Sequence, residues 1–158
     1  MEPYVRVIVM RGVPGSGKTD YIKKHFPEAW ICSTDRFFML KEGVYRFDGA
    51  NLGIAHGECL REFTRAVAIA SLGGKTEFDV IAVDNTNITV AEMAPYCALA
   101  QAYGHELLLI TLMCDPDKAA ARGLHGVTAA KTWDMNDRML RENYRIPHWW
   151  PQLVERGD

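Results

Sequence analysis

Apolar residues fall into two recurring patterns along the chain, and their alternation predicts the architecture. Short apolar runs rich in Val, Ile and Leu occur at Tyr4–Met10, Phe78–Asp84 and Glu106–Met113, with a shorter one at Ala29–Ser33. Runs of this length without a polar face predict strands covered on both sides. Between them the apolar positions recur at helical spacing. Leu52, Ala55, Cys59, Phe63, Ala66, Val67 and Ala70 form one stripe, while Glu58, Arg61, Glu62 and Arg65 hold the wet side. The spacing predicts a scaffold helix from Asn51 to Ser71, ended at Gly73-Gly74.

Local stop and start signals place the remaining helices. Tyr21, Ile22 and Phe26 share one side of a helix after Thr19, and Pro27 stops it. Thr89-Val-Ala-Glu92 is a capping box, predicting a helix to about Tyr103 with Gly104 as its stop. Pro95 lies too deep for its first turn and predicts a kink or a late start. Asp115-Pro116 opens another helix in cap-plus-proline order, and Thr128 caps the last, to about Arg141. Four strands alternating with helices predict an α/β sandwich with a parallel sheet.

Composition narrows the class. The chain has 158 residues, enough for one domain with a real core, and is 48% apolar and 24% charged. No apolar run is long enough to span a membrane, and the N-terminus lacks the basic region of a signal peptide. Cys32, Cys59, Cys97 and Cys114 are scattered without a C-x-x-C pair, which fits a reducing cytoplasm better than disulfide or metal use. A net charge of −2 argues against broad electrostatic binding of nucleic acid and leaves room for a local basic patch. Nothing in the sequence sets an oligomeric state.

The chemistry is concentrated in Gly12-Val-Pro14-Gly15-Ser16-Gly17-Lys18-Thr19, which fits G-x-x-x-x-G-K-[ST]. Glycines let backbone N–H groups turn inward as a nest for anionic oxygens, and the following helix aims its positive end at the same place. Lys18 would reach the β- and γ-phosphates of a nucleotide triphosphate, and the Thr19 hydroxyl would hold Mg²⁺. The motif lies between a predicted buried strand and a predicted helix, the setting it requires.

Two carboxylates end strands beside this loop. Asp84 closes an apolar strand, as the aspartate that holds the Mg²⁺ shell must. Asn85 follows it instead of a water-activating glutamate, which counts against a dedicated hydrolase. No N-K-x-D sequence follows a strand, which counts against a GTPase. Asp35 follows the second strand, where open parallel sheets place active groups; Thr34 or Asp35 capping a helical turn is compatible with that role. Tyr45 and Phe47 either offer a platform for a flat substrate or fill space under a loop.

The segment Arg122-Gly-Leu-His125-Gly-Val127, broken by glycine between two helices, suits a mobile lid over about 122–128. There Arg122 would neutralise charge on the transferring phosphoryl group. The tail from about 143 to 158 is rich in aromatics; Trp149 and Trp150 either pack back on the domain or meet a partner.

With Gly12 to Thr19, Ser33-Thr-Asp-Arg-Phe-Phe38, Asp84-Asn-Thr-Asn87 and Arg122 to Val127 in this order, the chain resembles small P-loop kinases typified by polynucleotide 5′-hydroxyl kinase domains. It looks closer still to the P-loop domain of NEDD4-binding-protein-2-like proteins. The resemblance covers about residues 5 to 142. It implies a three-layer P-loop NTPase fold with sheet order 2-3-1-4, a helical lid and ATP-dependent transfer to a hydroxyl. It maps Asp35 to the general base, Lys18 and Thr19 to the donor loop, and Arg122 to one lid position, with His125 where a second arginine would stand. Polynucleotide kinases carry an arginine three residues after the base; here that residue is Phe38, with Arg36 the nearby cation.

The expected donor side is therefore Gly12, Pro14, Gly15, Ser16, Gly17, Lys18, Thr19, Arg122 and His125, with Thr19 and Asp84 for the metal. The expected acceptor side is Asp35, Arg36, Phe38, Asn85 and Asn87. The expected function is transfer of the γ-phosphate of ATP to a nucleic-acid 5′-hydroxyl or to the hydroxymethyl group of a modified DNA base. The alternatives are a nucleoside or other small acceptor, and a nucleotide-gated interaction module without transfer.

Overall fold

A computed structural model describes residues 5–39, 49–73, 76–123 and 126–157. Tyr4, Tyr45, Phe47, Gly74 and His125, named above, lie outside the described residues.

The strands are β1 (Arg6–Arg11), β2 (Trp30–Cys32), β3 (Val80–Val83), β4 (Glu106–Met113) and β5 (Gln152–Arg156). They form one parallel sheet in the order β2-β3-β1-β4-β5. The helices are α1 (Lys18–His25), α2 (Asp35–Phe38), α3 (Leu52–Ser71), α4 (Val90–Ala102), α5 (Pro116–Arg122) and α6 (Ala129–Glu142).

Alternation along β1 builds the layers. Val7 and Val9 face one side with Ile81, Val83, Leu107 and Leu109, where Cys59, Phe63 and Val67 of α3 and Met93, Tyr96 and Cys97 of α4 cover them. Ile8 and Met10 face the other side with Ala82, Ile110 and Leu112, where Ile22 of α1 is buried and Tyr21 and Phe26 are partly buried. A third cluster of Val13, Ile88, Cys114, Ala119 and Met139 joins the loops after β1, β3 and β4 to α5 and α6. All four cysteines are buried, and none forms a disulfide among the described residues. Among the described residues no helix is long and apolar enough to cross a membrane.

The expected sheet order holds for the first four strands, and the strand count is corrected to five. Residues 152–156 extend the sheet beyond β4, with Leu109 opposite Gln152 and Met113 opposite Arg156. This strand is invisible to an apolar pattern because it lies at the sheet edge with Leu153 and Val154 exposed. Its anchor precedes it: Trp150 is buried in the main cluster, and the Trp149 carbonyl accepts from Gln101 Nε2 at 2.7 Å while its ring stays exposed. The tail thus packs back on the domain.

Of the two outcomes expected for the helix containing Pro95, a kink or a late start, the late start does not occur. Thr89 Oγ1 accepts from the Glu92 N–H, and α4 begins at Val90 and runs through Pro95. The local cap sets the start although the proline removes one later hydrogen bond. At the far end of α3, Leu72 is the cap and Gly73 takes φ 75°.

Candidate active site

The phosphate-loop motif follows β1 and leads straight into α1. Gly15 and Gly17 have φ of 81° and 99°, a left-handed conformation that a side chain would strain. The loop is tied to the turn after β3 at its start and closed by a bond within itself. The Gly12 N–H donates to the Thr86 carbonyl at 2.9 Å, and the Ser16 N–H donates to the Val13 carbonyl at 3.1 Å. Ser16 Oγ is buried, with no hydrogen-bond partner among the described residues. Pro14 sits in the turn before Gly15.

Lys18 is buried at the start of α1, and its Nζ donates to the carbonyls of Gly12 and Val13, each at 3.0 Å. An ammonium has three N–H donors, so one is left for an anionic ligand. Burial pushes its pKa below the usual lysine value, while the charges of Asp84 and Asp35 oppose that shift. Thr19 Oγ1 donates to Asp84 Oδ2 at 2.7 Å. Burial raises the Asp84 pKa; the Thr19 hydrogen bond and Lys18 act against it, and Asp35 adds to it.

Asp35 opens α2 just past the end of β2 and is exposed. Its N–H donates to Ser33 Oγ at 3.1 Å. Its charge registers on both Lys18 and Asp84. The structure thus gathers Lys18, Thr19, Asp84 and Asp35 at the carboxyl ends of β1, β2 and β3, although they are far apart in the chain.

Other residues of the expected acceptor side are engaged internally. Asn85 Oδ1 accepts from the Thr34 N–H at 2.9 Å and from Thr34 Oγ1 at 3.2 Å, pinning the start of α2 to the end of β3. Asn87 takes φ 47° and donates from Nδ2 to the Met10 carbonyl at 2.8 Å. Phe38 is buried, and Arg36 pairs with Glu62 at 2.9 Å. A cleft of about 320 Å³ opens beside α2 and α3, walled by Arg36, Phe37, Glu58, Glu62 and Arg65 among others; neither Asp35 nor Lys18 lines it among the described residues.

Arg122 is the last residue of α5, not part of a free loop. Its Nη1 donates to the Gly157 carbonyl at 2.8 Å and lies 3.5 Å from the Gly15 carbonyl. Of the expected lid, residues 124–125 lie outside the described part.

Two residues that carry the site's frame escape a reading of the sequence. Arg11 ends β1 and is almost fully buried. Its Nε donates to the Asn87 carbonyl at 3.1 Å, Nη1 to Asn143 Oδ1 at 2.6 Å, and Nη2 to the carbonyls of Ile88 and Met139 at 3.1 and 2.7 Å. Burial pulls its pKa down to about 10 against the pull of Glu142 and Glu92. A cation directly before the motif was its one visible signal. Gly157, which meets the phosphate loop, had none.

The site suits a nucleotide with a divalent cation. Thr19 and Asp84 present two hard oxygen donors in contact, the kind Mg²⁺ takes. The glycine nest and the spare Lys18 donor suit phosphate oxygens.

Residues 7–125 match the family model AAA_33, described as an AAA domain. Human (Homo sapiens) NEDD4-binding protein 2 is 32% identical over 142 residues, which cover 85% of this chain and 8% of that protein's length. The chain therefore spans a small fraction of that relative. A chain of the Pnkp1/Rnl/Hen1 RNA repair complex superposes with a TM-score of 0.69 at 10% identity, covering 93% of this chain and 48% of the other. A candidate kinase from Chloroflexus aurantiacus j-10-fl gives 0.61 at 13% identity, covering 99% and 87%. At these identities the two structures speak for the fold alone, and it is the sequence match across both the phosphate loop and the Asp84 segment that places the protein: the chain belongs to the AAA_33 family.

Proposed function

We propose that the domain transfers the γ-phosphate of ATP to a hydroxyl, with Asp35 as general base and a nucleic-acid hydroxyl as acceptor. The observation that carries this reading is the exposed Asp35 carboxylate, close enough to the phosphate loop for its charge to act on both Lys18 and Asp84. A nucleotide switch needs Lys18, Thr19 and Asp84 but has no use for a third carboxylate there.

The loop amides and the spare Lys18 donor hold the β- and γ-phosphates. Mg²⁺, when bound through Thr19 and Asp84, supplies charge neutralisation on the phosphate oxygens. Arg122 retains Nε and Nη2, which have no hydrogen-bond partner among the described residues, to face the transferring group. Asp35 orients the acceptor hydroxyl and takes its proton as that oxygen bonds to the γ-phosphorus. The bond from phosphorus to the bridging oxygen breaks, and ADP leaves with that electron pair.

The superposition on a chain of an RNA repair complex favours a nucleic-acid acceptor, either a 5′-hydroxyl end or a hydroxymethylated base. The pairing of Arg36 with Glu62 favours acceptors that need little phosphate grip, among which the base hydroxymethyl group and nucleosides stand out. Transfer of labelled γ-phosphate to 5′-hydroxyl oligonucleotides, hydroxymethylated DNA and nucleosides tests the reading. Label should reach one class, and Lys18→Ala should abolish it. Tight ATP binding with no transfer to any acceptor would sink the kinase reading and leave a nucleotide-gated interaction module.

A further inference from the structure

The phosphate loop is clasped from outside its own motif by two close backbone contacts. On one side is α5: a Cβ at Gly15 would lie 2.1 Å from the Ala119 carbonyl oxygen. On the other is Gly157, directly after β5: a Cβ there would lie 2.0 Å from the Ser16 carbonyl oxygen. Both spacings are far inside van der Waals contact, so only a hydrogen fits.

Gly157 is fixed from both of its own sides. Its N–H donates to the Met113 carbonyl at 2.8 Å, continuing the β4–β5 ladder by one more bond. Its carbonyl accepts from Arg122 Nη1 at 2.8 Å, and a Cβ on Gly17 would lie 3.6 Å from that same oxygen. One residue of the tail therefore touches Ser16, approaches Gly17 and holds Arg122.

We propose that Gly157 is a positioning residue of the donor site, through the Ser16–Gly17 peptide. A trans peptide is planar, so its C=O and N–H point in opposite directions. The Gly157 Cα packs against the Ser16 carbonyl oxygen, and this sets the direction of the Gly17 N–H, one of the amides of the nest. A methyl group at Gly157 must push that carbonyl or lift the end of β5. The first rotates the Gly17 N–H away from its place; the second withdraws the carbonyl that holds Arg122. The inference rests on reading this loop as the nucleotide site and adds that the fifth strand completes it.

The test uses the 158-residue chain with Gly157→Ala, and with Val154→Ala as the control on the same strand, where the side chain is exposed. The readouts are the Gly17 backbone amide resonance in nucleotide-free protein and the affinity for ADP and ATP. Gly157→Ala should move the Gly17 resonance and weaken nucleotide binding about ten-fold or more, the scale of one lost charged hydrogen bond. Val154→Ala should leave both unchanged. An unmoved Gly17 resonance with unchanged nucleotide affinity in Gly157→Ala would overturn the proposal.

If Gly157→Ala does not fold, Arg122→Ala asks the same question, because it frees the Gly157 carbonyl without adding an atom. It should shift the Gly157 and Gly17 amides, and constancy of both would overturn the proposal. Wild-type protein that binds ATP without transferring phosphate would defeat the kinase reading alone, since the amide readout needs neither acceptor nor turnover.

Discussion

Thr19 Oγ1 and Asp84 Oδ2 meet at 2.7 Å across 65 positions of sequence, so the last residue of the phosphate-loop motif is hydrogen-bonded to the carboxylate that follows β3. That contact joins β1, α1 and β3 at one point. It also holds an acid in a buried place where its charge is costly without a cation.

The electrostatic consequence can be measured by pH. The folded-state pKa of Asp84 is raised above its unfolded value, chiefly by burial. The folded state therefore holds that proton more tightly, and the ionised carboxylate costs stability at every pH above the folded pKa. The cost is relieved as pH falls through the folded pKa towards the unfolded value. Nucleotide-free Asp84→Asn should accordingly melt higher than wild type at pH 7, with a gain of about 2–4 °C per kcal/mol recovered. The gain should shrink on acidification. The same variant should lose the Mg²⁺-dependent part of its ATP affinity, and thermal melts at several pH values with titration calorimetry check both.

Asp35→Asn separates chemistry from binding. Transfer should fall by about 10²–10⁴, the usual contribution of a positioned general base. ATP affinity should hardly move, because the loop amides, Lys18 and Thr19 are untouched. Equal losses in both would reassign Asp35 to nucleotide binding.

Arg11 is the bolt between β1, the turn after β3 and the end of α6, with four acceptors on one guanidinium. Arg11→Met keeps much of the volume and leaves buried carbonyls without donors. It should cost about 2–5 kcal/mol in urea unfolding. Arg11→Lys should recover little of this, since an ammonium cannot reproduce the planar fork.

Asn87 is the one non-glycine residue with positive φ among the described residues. Asn87→Ala should cost about 1–2 kcal/mol of backbone strain together with the bond to Met10. Asn87→Gly should lose the bond and avoid the strain, so it should be the more stable of the two in denaturant titrations. The opposite order would contradict a framing role for this residue.

Most elements are legible in the chain because they are set by local rules. The β4 boundaries Glu106–Met113, the buried stripe of α3 and the caps at Thr89, Asp115 and Thr128 match their expected places. Each depends on periodicity or on a cap within a few residues. The roles of Asn85 and Asn87 were not legible. Both occupy a site-like position after a strand, but their amides are directed to Thr34 and Met10, 51 and 77 positions away.

By itself the sequence determined the phosphate-binding stretch and the alternation of strands and helices, since both are written in neighbouring residues. Only the tertiary structure decided that Asn85 and Asn87 brace Thr34 and Met10, that a fifth strand flanks β4, and that Gly157 closes on Ser16. Those outcomes depend on which distant backbones approach one another when the apolar faces of the sheet are covered. A glycine that must be small for a neighbour 141 positions away carries no mark of it in its own surroundings.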